Sequence, residues 1–104
     1  MTTEDDFETA CLEAIEECRH LNPRYVPTAW IQMIERHGAV EAALRLVVSS
    51  EIQSGFTELV KRSRSDLTIE YAVLNPRWTK LFSDDLRDAA RWRLRQAGVT
   101  DLPE

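Results

Sequence analysis

The side chains best able to do chemistry in this chain are two cysteines, two histidines and a group of arginines gathered toward the C-terminus. Cys11 and Cys18 fall on one predicted helix, which would hold their α-carbons about 10 Å apart at a rise of ~1.5 Å per residue, too far for a disulfide. Two cysteines with no second pair, and no histidines at ligand spacing, fall short of a structural zinc site. Buried, inert thiols are therefore expected. His20 and His37 have no Ser, Cys and carboxylate arrangement of the kind that activates a nucleophile. No glycine-rich phosphate loop is present either. The expectation is a protein with no catalytic residue, no cofactor and no metal.

The arginines are more informative. In the last helical segment, Arg93 falls within an otherwise apolar stripe of Leu86, Ala89, Ala90, Leu94 and Ala97. A guanidinium there requires a partner, because an unpaired buried charge is costly. Glu70, which opens a preceding helix beside apolar neighbours, is the expected carboxylate. Arg87, Arg91 and Arg95 recur every four residues on the outer face of the same helix, a spacing able to follow a phosphate backbone or an acidic protein. Asp84 and Asp88 share that face, so ordinary intrahelical pairs such as Asp88 with Arg91 account for it as well. Trp92 projects outside the inner stripe. Either it is a binding hot spot, or the Arg77 to Phe82 segment or a terminal tail folds over it. Lys61, Arg62 and Arg64 form a short basic cluster at the end of another helix, where cations suit the negative helix terminus and could also meet a phosphate or an acidic surface.

The whole chain carries a net charge of -5, which argues against a protein that simply coats nucleic acid. The distribution is uneven. Seven carboxylates (Glu4, Asp5, Asp6, Glu8, Glu13, Glu16, Glu17) and no basic residue lie between Met1 and Cys18, whereas six basic residues face three acidic ones between Arg77 and Arg95. With 43% hydrophobic and 30% charged residues over 104 positions, the composition is that of one ordinary globular domain with a single core. No apolar run approaches the ~18 residues of a membrane span, and the acidic start does not resemble a signal peptide, so a cytoplasmic protein without membrane contact is expected.

Helical periodicity supplies the elements that must position these groups. A first helix from about Glu4 to Leu21, capped by Thr2 or Thr3, places Phe7, Cys11, Ala14, Ile15, Cys18 and Leu21 on one stripe. Asn22, Pro23 and Pro27 impose an extended connection. Thr28 reads as the cap of a helix from Ala29 to His37, with Trp30, Met33, Ile34 and His37 inward and Gly38 ending it. Ala39 to Val48 is apolar around more than half its circumference and belongs at the centre of the bundle. Ser49, Ser50, Ser54 and Gly55 interrupt the pattern before a short helix carrying Phe56, Leu59 and Val60 and ending near Arg62. Leu67 to Leu74 alternates as a strand would, but Thr68 before Ile69 and Glu70 resembles a cap and no second strand is available, so a helix is predicted. Asn75 and Pro76 break it, Arg77 to Phe82 forms a helical turn in which Trp78 has no clear face, and Ser83 caps a final helix from Asp84 to Ala97, closed by Gly98.

Tyr25-Val26-Pro27-Thr28-Ala29-Trp30 with Met33, His37-Gly38-Ala39-Val40-Glu41-Ala42-Ala43, Ser54-Gly55-Phe56, Leu67-Thr68-Ile69-Glu70, and Leu81-Phe82 with Ala90-Arg91-Trp92-Arg93-Leu94 together resemble a family of small, uncharacterised bacterial helical proteins. The resemblance extends from about Asn22 to Gly98. It implies an all-helical fold and supplies no catalytic residue or substrate. The acidic first helix lies outside it.

The sequence thus predicts an all-α, compact bundle of five or six short helices: a single domain over residues 1–98 with a loose tail at 99–104. The expected function is a non-enzymatic protein-interaction module that docks through Trp92, Arg87, Arg91 and Arg95. Its partner is another protein or a second copy, a homodimer being the simplest form. The alternative is a nucleic-acid-binding accessory protein using those three arginines with Lys61, Arg62 and Arg64, which requires all six basic side chains to converge on one face.

Overall fold

The computed structural model describes residues 2–49 and 54–104, the side chain of Ser54 excepted. Among the described residues six α-helices follow one another: α1 Thr3–Arg19, α2 Thr28–His37, α3 Ala39–Val48, α4 Ser54–Lys61, α5 Ile69–Leu74 and α6 Asp84–Gln96. Single 3-10 turns precede α5 (Ser65–Leu67) and follow it (Pro76–Trp78). No strand occurs among the described residues, and none of the helices is long and apolar enough to cross a membrane.

Local chemistry fixes most of the boundaries. Thr2 caps α1 in a reciprocal box with Asp5, Thr68 accepts the Tyr71 amide at the start of α5, and Ser83 accepts the Leu86 amide at the start of α6. α2 departs from expectation. Thr28 is its first helical residue rather than its cap; its hydroxyl turns back to the Val26 carbonyl, and Pro27 occupies the cap position with no side chain to bond the first amides. Gly38 alone joins α2 to α3. Its φ of 82° and ψ of 164° lie in a region open essentially to glycine, so any other residue type would be strained at this elbow.

α3 is the central element and packs against α1, α2, α5 and α6. Ala39, Ala42 and Ala43 are buried and small, which lets neighbouring helices approach, while Leu46 and Val47 fill the space beyond. The inner stripe of α1 presents Phe7, Cys11, Ile15 and Cys18. Phe7 meets Trp78 and Phe82 edge to face, with ring centroids 5.5 and 5.1 Å away, so the turn after α5 is sealed into the core by aromatic contact. Trp78, which had no legible face in the sequence, is buried, whereas His37, expected inside, is exposed, as is Val48. His37 is the last residue of its helix, and Val48 closes α3 beyond its packed turns. Ser50 lies outside the described residues.

The C-terminal segment is docked rather than loose. Gly98, at φ 87°, reverses the chain after α6, Val99 donates to the Leu94 carbonyl, and Val99 and Leu102 pack against the core.

Candidate functional site

The arginines of α6 divide according to the face they occupy. Arg93 is buried and points inward, where Nη1 donates to Glu70 Oε2 at 3.2 Å, the carboxylate expected from the sequence. The same guanidinium donates to the Leu46 carbonyl at 2.9 Å and to the Ser49 carbonyl. It therefore answers acceptors at the C-terminal end of α3 that the helix cannot satisfy internally. Arg87 acts similarly on another helix, Nη2 donating to the carbonyl of Leu74, the last residue of α5, at 3.3 Å.

Arg91 lies outside and is neutralised. It forms an ion pair with Asp88 within α6 and grips the Glu104 carboxylate through Nε and Nη2, with Nε 3.0 and 3.1 Å from the two oxygens. The Arg91 hydrogen bonds thereby hold the Glu104 carboxyl below its ordinary value. Arg95 is exposed and forms no ion pair among the described residues.

Trp92 is 61% exposed, so neither the Arg77 to Phe82 segment nor the C-terminal residues cover it. One helical turn on, Gln96 shares its face and borders an open groove of about 370 Å3 between α4 and α6, walled by Phe56, Thr57, Val60 and Ala97 with Lys61 at its edge.

The second basic cluster does not join these arginines. Arg62 pairs with Glu58 at 2.6 Å, donates to the Pro23 carbonyl and stacks 5.7 Å from the Tyr25 ring centre. Arg64 bonds Asp66 at 3.1 Å and Glu17 of α1 at 2.9 Å. Arg62 and Arg64 thus serve the junction of α1, α4 and the following turn, while Arg87 and Arg91 serve α5 and the C-terminal segment. The convergence required for a phosphate track is not formed by these four.

Burial governs the thiols. Cys11 is pushed up from its ordinary value near 9.0 to about 12, first by burial and then by Glu8. Cys18 is raised by burial too, with Arg64 opposing. Both are free thiols within the core.

A cavity of about 280 Å3 opens beside Glu70; its walls come from separated segments, so no motif marks it. Tyr25 to Trp30 form one side, Leu46 and Ile69 another, and Phe56 and Leu59 of α4 a third. Gly55 permits the closure: a Cβ at that position would stand 2.7 Å from the Tyr25 hydroxyl. Comparison with known proteins finds no matching family model, no matching curated protein and no matching solved structure, so the geometry alone bears on function.

Proposed function

We propose that the chain is a non-enzymatic cytoplasmic interaction module that associates with a second copy of itself through the outer side of α6, centred on Trp92. The observation that supports this reading is the exposure of Trp92, 61%, on a helix whose Gln96, one turn further on, borders the apolar groove between α4 and α6. A large aromatic held on a helix loses little conformational freedom on docking, and such residues dominate binding energy at interfaces. Charge contributes less than the sequence implied. Arg87 and Arg91 are engaged within the molecule, leaving Arg95 and Lys61 as the exposed cations that could steer an acidic α1 toward this face.

Light scattering over a concentration series, at low and high salt, tests the reading. The expected result is a dimer that dissociates on dilution and is weakened about thirtyfold in Trp92→Ala, with weak salt dependence. A strictly monomeric mass at the highest concentration and lowest salt removes it. Titration of labelled DNA and RNA addresses the nucleic-acid reading in the same samples: binding that weakens steeply between about 50 and 200 mM salt would move the function to the basic residues.

A further inference from the structure

The groove between α4 and α6 has walls suited to a flat aromatic group. Phe56, Val60 and Ala97 supply apolar surface, and Arg93 lines the groove beside them. Both terminal nitrogens of Arg93 already donate, to Leu46, Glu70 and Ser49, so the guanidinium has chiefly its π-face left to offer an occupant. An aromatic ring is the group that stacks on such a face. Thr57 and Gln96, both exposed, add oxygen atoms at the rim, where an indole N–H needs an acceptor as it leaves water. A cavity of ~150 Å3 accepts benzene, so the groove of about 370 Å3 has room for the two fused rings of an indole.

The chain presents an exposed indole of its own one helical turn away, that of Trp92. It does not fill the groove within one molecule. Helical side chains lean toward the N-terminus, so the Trp92 ring covers the turn before it, away from Gln96, and remains exposed. A second copy removes that obstacle. A two-fold axis midway between a projecting group and a recess exchanges one for the other, so a single rotation seats both tryptophans at once. Charge has the same polarity. Asp85 and Asp88 precede Trp92 on α6, Arg95 follows it, and Lys61 stands at the edge of the groove. Copies whose α6 helices run in opposite directions set the acidic half of one face against the basic half of the other.

Given the self-association proposed above, on which this step rests, we infer that Trp92 of each copy inserts into the α4–α6 groove of the other, a reciprocal two-fold contact between α6 helices of opposite direction. Two tryptophans and the walls that receive them remove roughly 600–1,000 Å2 from water, below the ~1,200 Å2 at which stable complexes begin. The contact is therefore reversible and sensitive to concentration.

Dissociation constants of the full chain and its variants, measured by sedimentation equilibrium, test the pairing. Trp92→Ala removes the inserted group, and Ala97→Phe fills the groove from an exposed position; each is expected to weaken association about thirtyfold. Thr57→Phe fills the groove from α4, also from an exposed position, and is expected to match Ala97→Phe. Trp92→Ala and Ala97→Phe combined in one chain are expected to cost no more than either alone, since both remove the same contact. Mixing the two single variants restores one seated tryptophan of two, so the mixed pair is expected to be only about fivefold weaker than the wild type. A wild-type dimer weakened by Trp92→Ala but indifferent to Ala97→Phe and Thr57→Phe leaves the self-association in place and overturns the insertion, as does a mixed pair no tighter than its parents. A monomeric wild type removes both.

Discussion

Arg93 and Arg91 stand two residues apart on α6, and each grips a carboxylate, yet they belong to opposite regions of the molecule. The Arg93 side chain is 8% exposed and its partner Glu70 2%, whereas Arg91 is 22% exposed and its partners Asp88 and Glu104 are 68% and 31%. Inside, the guanidinium also answers two backbone carbonyls of the α3 terminus, and its loss would strand Glu70 and the Leu46 carbonyl away from water. Outside, water can replace every bond that Arg91 makes. The pairing is chemically the same, and its worth is set by what replaces it when it is broken.

The largest effect is expected from Arg93→Ala, a loss of ~3–5 kcal/mol in urea unfolding, because Glu70 remains buried and unpaired. The double variant Arg93→Met, Glu70→Leu sharpens the contrast. It is expected to recover most of that loss, since an apolar pair removes both charges together; if it unfolds as readily as Arg93→Ala, the carbonyls of Leu46 and Ser49 rather than the ion pair account for the stabilisation.

Next in size is the protection of the thiols, which also face inward. In the folded protein Cys11 and Cys18 are expected to react with a disulfide reagent at least about 1000-fold more slowly than in denaturant, the reaction waiting on opening of the core. Cys11 contributes to the alkaline pH dependence. Its folded value of about 12 exceeds the ordinary 9.0, so its contribution is complete below about 9 and is lost as pH rises toward 12. Stability should fall across that interval, and less so in Cys11→Ala.

On the outer side, Glu104→Gln is expected to cost less than ~1 kcal/mol. Arg91 depresses the Glu104 value, so that contribution is present at neutral pH and is lost as pH falls through the folded value. Leu102 methyl signals followed during an acid titration should report undocking of the C-terminal segment, and Glu104→Gln should show it undocked already at neutral pH. The smallest stability effect belongs to Trp92→Ala, within ~0.5 kcal/mol, even though the proposed self-association should weaken by ~2 kcal/mol, about thirtyfold. A large loss of stability in that variant would mean that Trp92 belongs with the inner region after all.

Periodicity and capping chemistry made most of the helices legible. The limits of α3, the caps Thr2, Thr68 and Ser83, and the meeting of Arg93 with Glu70 all follow from residue type and spacing, because each is a local pattern or a single charge with one evident counterpart. What escaped was whatever depends on backbone acceptors or on reversal of the chain. A carbonyl has no signature in a sequence, so the bonds from Arg87 to Leu74, Arg62 to Pro23 and Arg93 to Leu46 could not be anticipated. The grip of Arg91 on Glu104 depends on the turn at Gly98, and the burial of Trp78 depends on Phe7, a contact across most of the chain. The cavity beside Glu70 escaped for the same reason: its walls come from segments around α2, α4 and α5 that are far apart in the chain.

The bond from Arg93 to the end of α3 has a consequence for synthesis. The carbonyls of Leu46 and Ser49 receive their donor from a residue made 47 and 44 positions later. A nascent chain that has yet to deliver α6 therefore carries its central helix with an unfinished terminus and with one side uncovered. Closure of that terminus therefore waits on the late arginine: the central helix gains this set of bonds only after α6 has been made.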